Sequence, residues 1–310
     1  MSLSMPSSLR LIARSAPIIG VLLLALVLVG CSAVRLGYNT APTLAYWWLD
    51  SYFDFDGEQS LRLRADLQTV QDWHRREELP LLIQTLKELQ SMAPAQVTAP
   101  QVCQMVGNLQ TRVQTTLERV VPSIAAIAPT LQAEQVEHVS REFDKRNRKW
   151  REEWLDGSLA ERADRRVKQI VDRAESFYGR LEPAQIAILR AHINISTFDG
   201  PRQYQEMQRR HRDALQVLNA LRSNRPAPAQ ATSDIQGLLE RTLKAPDPAF
   251  RQYIERITNE SCVAVATLHN SSSAEQRAYL AKTLQGYEGD ARALANQGQS
   301  ATAPKPSTTP

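Results

Sequence analysis

Glycine is scarce in this chain, 12 of 310 residues, while long stretches are rich in Leu, Ala, Gln, Glu and Arg. Tight turns and bulges lean on glycine and helix interiors avoid it, so the composition favours helices over a sheet protein. Basic blocks are missing as well. The formal net charge is only +4, and charges of both signs are interspersed without a run of five or six cations, which leaves no footprint for nucleic acid. Several enzyme signatures are absent: there is no Gly-x-Ser-x-Gly elbow, no phosphate-binding glycine loop and no dinucleotide fingerprint. The five histidines, His74, His138, His192, His211 and His269, show no i, i+4 pairing and no cysteine or carboxylate pattern of the kind zinc requires. Asp54 and Asp56 sit two residues apart in an aromatic segment and read as solvated or capping groups. The chain is therefore expected to be non-enzymatic, with no catalytic residues, cofactor or metal site.

Cysteine is also rare, three residues in all, but each is informatively placed. Cys31 closes Leu28-Val29-Gly30-Cys31, behind an uncharged apolar run from Ala16 to Val29 that follows Arg10 and Arg14. A basic start, a run too short for a membrane span of about 20 residues and small residues before a cut site make a secretory signal. The segment resembles a bacterial lipoprotein signal, which implies removal of residues 1–30 and attachment of lipid, palmitate among its acyl chains, to Cys31. Ser32, in place of Asp, implies sorting to the outer membrane. The alternative is an uncleaved anchor helix in which Cys31 is an incidental thiol. Without Arg10 and Arg14 the remainder carries 35 basic and 33 acidic residues, a nearly balanced charge. Cys103 and Cys262 form an even pair in an oxidising compartment, and either bridge or stay as two buried thiols.

The pattern along the chain predicts an all-α fold, an elongated multi-helix bundle of antiparallel amphipathic helices behind the cleaved signal. Residues 31–57 form a lipid-anchored aromatic segment, containing Trp47-Trp48-Leu49-Asp50 and Asp54-Phe55-Asp56. Its aromatics are expected to pack against the bundle, the alternative being the membrane interface. A main helical domain covers 58–221. It opens with a long helix over 58–90 whose apolar positions include Leu61, Leu67, Val70 and Trp73, kinked or broken at Pro80. Two further helices should meet at Asp156-Gly157-Ser158, with Gly157 ending the first and Ser158 capping the second. Helix starts share one grammar at Val97-Thr98-Ala99-Pro100-Gln101, Leu131-Gln132-Ala133-Glu134-Gln135, Leu181-Glu182-Pro183-Ala184-Gln185 and Ser272-Ser273-Ala274-Glu275-Gln276. An apolar residue before the cap, a proline or acid in the first turn and a glutamine near the third position suit stapled, capped N-termini. Residues 222–232 read as a linker, 233–295 as a C-terminal helical region and 296–310 as a disordered tail.

The densest local pattern is Trp73-His74-Arg75-Arg76-Glu77-Glu78-Leu79-Pro80. Together with the lipidation cysteine, Arg35–Asn39, Trp47–Asp50, Asp54–Asp56 and Gln59, and continuing to Phe177–Gln185, it resembles the bacterial lipoprotein family catalogued as domain of unknown function 6279. Family members commonly carry Thr where Glu182 stands. The resemblance implies an α-helical lipoprotein of the Gram-negative envelope on the periplasmic face of the outer membrane, marks Trp73, His74, Arg75, Glu78 and Pro80 as motif residues of unassigned role, and supplies no activity. A weaker similarity, through the starts at Leu131 and Leu181, is to small periplasmic helical stress chaperones with Leu-Thr-x-x-Gln motifs. The expected partners are the membrane, through the lipid on Cys31, and another envelope protein or polymer. A binding or scaffold protein is the leading expectation, a chaperone-like protein the alternative and an envelope hydrolase the third.

Overall fold

The computed structural model describes residues 33–302, with side chains to residue 297. Cys31 and the signal segment lie outside the described residues. The fold is all-α, and no strand occurs among the described residues. Helix α1 covers 33–53. It is followed by α2 (Gly57–Trp73), a single π-turn (His74–Glu78), α3 (Leu79–Met92), α4 (Ala99–Ile127) with a 3-10 extension (Ala128–Thr130), α5 (Ala133–Trp154), α6 (Leu159–Tyr178), α7 (Pro183–Ile195), α8 (Gly200–Asn224), α9 (Pro228–Leu243), α10 (Pro248–Asn270) and α11 (Ala274–Thr302).

The N-termini follow the chemistry of their caps. Asp56, Thr98 and Ser158 each accept the backbone N–H three residues on, and Gln59, Gln101 and Glu161 reach back to the cap's own N–H. Gly157 adopts φ +90 between α5 and α6, a conformation in which a side chain would be strained, so the expected turn stands where it was read. Leu131 and Leu181, the apolar residues ahead of two starts, are almost fully buried.

Four apolar clusters hold the helices together among the described residues, the smallest being Ala245, Phe250 and Tyr253 at the start of α10. One joins α1, α2, α4, α5, α8 and α9 through Tyr46, Leu63, Val121, Leu131, Val136, Leu221 and Ile235. A second lies between α3 and α11, built on Leu79, Ile83, Leu86, Leu284 and Leu294. The third joins α6, α7 and α10 through Ala174, Leu181, Leu189 and Leu268. On α5, Val136 and Val139 are buried, Phe143 stacks on His211 of α8 with ring centroids 4.0 Å apart, and Trp150 stacks on Tyr204.

Four expectations need correction. The linker read at 222–232 is helical except for 225–227: Arg225 turns left-handed at φ 42 to close α8, and Pro228 opens α9, where its missing N–H costs nothing. A charge network then fastens α9 to α8. Asp213 receives Nε and Nη2 of Arg241, both at 2.9 Å, and Nη1 of Arg209 at 3.2 Å, while Arg209 also grips buried Glu206. Helix α11 runs past residue 296 to Thr302, because Leu294 and Ala295 are buried against α3 and carry the helix on; residues 303–310 are outside the described part. The interruption expected at Pro80 in the helix over 58–90 is present as the π-turn just before it, but Leu61, read as a core position, is 74% exposed. Finally, the aromatics of α1 divide: Tyr46 is buried against α2, where its hydroxyl meets Ser60 Oγ at 2.9 Å, but Trp47 and Trp48 are 57% and 55% exposed.

Candidate functional site

The Trp73–Pro80 motif forms the junction of α2 and α3. Pro80 stands in the first turn of α3 and has no N–H to give, and the chain widens just before it: the N–H of Leu79 reaches the carbonyl of His74, five residues back. This π-turn presents the side chains of His74 and Arg75 to α1 and that of Glu78 to α4. The Tyr38 hydroxyl of α1 lies 3.0 Å from His74 Nδ1. Burial pushes the Tyr38 phenol up to about 12 and the His74 imidazole below its ordinary value, with Glu78 pulling the imidazole back up. At neutral pH the hydroxyl therefore keeps its proton beside a neutral ring. Arg75 donates from Nη2 to Asn39 Oδ1 at 2.8 Å, with its guanidinium 5.5 Å above the Tyr38 ring. The Gln71 amide donates to the Tyr38 carbonyl.

From α4, Arg112 Nη1 lies 3.6 Å from the buried Glu78, and Arg119 stands 5.6 Å over the Trp73 ring. From α11, the buried Asp290 pairs with Arg35 of α1 at 2.9 Å. The motif and the Arg35–Asn39 segment, far apart in sequence, are thus one contact set. Its chemistry is that of a clamp, in which hydrogen bonds, cation–π contacts and ion pairs fix α1 to the α2–α3 junction and to α11, and the junction in turn to α4. Cys103 of α4 and Cys262 of α10 are bridged, with Cα atoms 5.5 Å apart.

An open cavity of about 360 Å³ lies at the meeting of α3, α4, α6, α7, α10 and α11, walled by Leu89, Met92, Met105, Phe177, Leu189, Leu280 and Leu284. Tyr178 and His269 are its polar wall, and Arg173 also lines it. The Tyr178 hydroxyl lies 2.9 Å from His269 Nδ1, and His269 Nε2 lies 2.8 Å from the Ala95 carbonyl. A carbonyl only accepts, so the proton of the neutral ring sits on Nε2 and Nδ1 receives the phenol proton. Burial pushes Tyr178 up to about 12 and holds His269 below its usual value, although the bond to Ala95 works the other way. A second apolar cavity of about 250 Å³ lies among α1, α2, α4 and α8, lined by Leu49, Phe53, Phe55, Val120 and Ile124 among others. Helix α4 passes both, and along it Leu109, Val113, Leu117 and Ile124 are exposed.

A family model, described as a family of unknown function (DUF6279), matches residues 51–244, more than half of the chain. The chain belongs to this family. Neither a curated protein nor a solved structure matches it. The matched stretch includes the whole Trp73–Pro80 motif, while α10, α11, most of α1 and one half of the disulfide fall outside it. Membership therefore agrees with the resemblance drawn from the motif and assigns no chemistry to it.

Sequence reasoning missed two features. The Tyr178–His269 pair and the cavity around it have no local signature, since their parts come from helices 91 residues apart. The second concerns the glutamines of the helix starts, which are paired across the fold. Gln59 and Gln135 donate to each other's Oε1 at 3.3 and 2.8 Å, and each also donates to a carbonyl ahead of the other's helix, Thr130 and Asp54 respectively. Gln185 and Gln276 repeat this, bonding each other at 2.7 and 2.9 Å and the carbonyls of Ser271 and Arg180. The repeated glutamine is visible in the sequence; its choice of partner is not.

Proposed function

We propose that the protein is a lipid-anchored component of the Gram-negative envelope, attached through Cys31 to the outer membrane with its helices in the periplasm, that binds another envelope component without catalysing a reaction. The observation that carries the binding part is the open cavity beside Tyr178 and His269: apolar side chains from six helices leave a hollow that a close-packed core would fill, which suits an apolar or amphipathic ligand. The bridge between Cys103 and Cys262 supports an oxidising compartment, and the Leu28–Cys31 segment supports the anchor.

Crosslinking in living cells tests this reading. A photoreactive residue at Val265, in the cavity wall, should capture an envelope component that the same probe at Glu137, on the exposed face of α5, does not. Equal capture at both positions would remove the cavity from the proposal. A Cys31→Ala variant should lose acyl labelling; retained labelling would remove the anchor.

A chaperone-like role is the second reading, favoured by the exposed apolar row on α4 that passes both cavities. It predicts suppression of aggregation of an unrelated unfolded client at near-stoichiometric ratio, and a Val113→Asp/Leu117→Asp variant should lose that suppression. A wild-type protein with no effect on the client disposes of it.

A further inference from the structure

Helix α1 differs from the other long helices in what it shows to solvent. Its exposed residues are Ala33, Val34, Leu36, Gly37, Asn39, Ala41, Thr43, Leu44, Trp47, Trp48 and Ser51, with no charge among them. The helix has only two charged side chains, and both are engaged: Arg35 with buried Asp290, and Asp50 with the backbone N–H of Phe55 at 3.1 Å. Leu36, Leu44, Trp47 and Trp48 follow one another at steps of 8, 3 and 1, which at about 100° per residue keeps them within roughly a third of the helix circumference. At roughly 1.5 Å per residue the stretch from Leu36 to Trp48 is about 18 Å long, on a helix of about 30 Å.

The helix meets two further facts. First, Cys31 precedes residue 33 with only Ser32 between them, so the end of the charge-free face is next to the anchoring residue. Second, arginines border the face rather than interrupt it. Arg64 of α2 lies 3.5 Å over the Tyr46 ring and 5.4 Å from Trp47, and Arg75 holds Asn39. Leu61, one turn before Arg64, is an exposed large apolar residue of α2. An apolar strip with tryptophans, edged by guanidinium groups, matches the headgroup boundary of a bilayer, where indole rings settle and arginines reach phosphate. Among the described residues no helix is long and apolar enough to cross a membrane, so contact of this kind is along the surface.

We propose that the outer face of α1 lies flat on the lipid leaflet, Trp47 and Trp48 at the boundary between headgroups and acyl chains, and that α1 thereby sets the orientation of the whole helical body on the membrane. The geometry rests on the anchor reading, since Cys31 brings this end of α1 to the leaflet. The clamp of His74, Arg75 and Asp290 then serves that orientation by keeping the membrane-facing helix rigid against the rest of the protein.

The test uses the full chain, processed by its own cells, in vesicles of phosphatidylethanolamine and phosphatidylglycerol containing phosphatidylcholine brominated at defined depths on its acyl chains. Tryptophan fluorescence should be quenched, most by bromines near the headgroup. A Trp47→Phe/Trp48→Phe variant, altered only at exposed positions, should lose roughly threefold or more of that quenching, because Trp73, Trp150 and Trp154 are half-buried and lie off the outer face of α1. Intact mass, read on the same samples, reports the anchor separately. Hydrocarbon on Cys31 without quenching overturns the membrane face and leaves the anchor standing; if such a sample is also dimeric in detergent, the face belongs to a second copy. Quenching that persists in the double variant overturns the proposal as well. Quenching that disappears in the variant while Cys31 bears no hydrocarbon supports the face and overturns the anchor.

Discussion

Two pairs of helix starts are joined by the same device, and they differ in where their halves come from. In the Gln59–Gln135 pair both glutamines lie within the stretch matched by the family model; in the Gln185–Gln276 pair one lies beyond it. In each, Oε1 accepts the N–H of its own cap and the partner's amide, and Nε2 donates to the partner and to a carbonyl across the junction. Every polar atom of four buried amides is thereby used, which is the condition for burying them without a desolvation penalty. The difference teaches that the matched stretch is not self-sufficient in this protein. Helices α10 and α11 complete the second pair, supply Cys262 and His269, and cover Leu79, Ile83 and Leu86 of α3.

The comparison breaks most visibly if α10 and α11 are removed. A chain ending at residue 244 is expected to lose its cooperative thermal transition and to bind a hydrophobic dye, because the apolar face of α3 and the wall of the larger cavity are laid open. A sharp melt at the wild-type temperature by circular dichroism would mean that the matched stretch folds alone. Opening the bridge is the next largest change. Cys103→Ala/Cys262→Ala releases a loop of 159 residues, a loss of up to about 5 kcal/mol in the chain-entropy model, and the variant's melting temperature should fall well below that of the oxidised wild type and match that of wild type with reductant present. A melting point indifferent to reductant would show that α10 is held by packing alone.

A smaller effect compares the two glutamine pairs directly. Gln59→Leu and Gln185→Leu each orphan a partner amide and a buried carbonyl, at a cost of about 2–4 kcal/mol apiece. Denaturant midpoints should fall by similar amounts if the two junctions are equivalent. In the cycle with Gln276→Leu, the double variant should be less destabilised than the sum of the singles, since the second change removes a group already orphaned.

Much of this was legible in one sequence, and the boundary of legibility has a physical cause. Caps, boxes and the Gly157 turn are decided by a few adjacent residues, so Ser158, Thr98 and Asp56 stand where their side-chain chemistry requires. The Trp73–Pro80 motif was visible as a pattern, and so was the presence of Arg35–Asn39, but not that Tyr38 meets His74 or that Asn39 meets Arg75, because those contacts depend on how α1 crosses the π-turn. Composition misled at 222–232: Pro226 and Pro228 read as a linker when one residue of the pair is simply the first turn of α9, and the fastening of α9 by Asp213 and Arg241 is long-range. Periodicity misplaced Leu61 and left Trp47 and Trp48 undecided, since an apolar helical stripe says that a face avoids water without saying what it meets.

The smallest expected effect separates the two tyrosine–histidine pairs. Burial holds both His74 and His269 below the ordinary imidazole value, which is their value in the unfolded chain. Above about pH 6.5 both states are neutral and stability is complete; as pH falls below that, the unfolded chain takes up protons first and stability declines, until the native pKa values are passed. Lowering pH from 7.5 to 5 should therefore lower the melting temperature, in a range above that in which carboxylates held low, such as Asp213 beside Arg241, begin to contribute. The two pairs should not share this equally. Glu78 offsets part of the cost of charging His74, whereas at His269 the bond to the Ala95 carbonyl offsets part of the cost and the nearby Arg277 cation adds to it. His269→Gln, which keeps a donor for that carbonyl, should flatten the pH dependence more than His74→Gln does. The reverse order would place the titrating group at the motif instead of at the cavity.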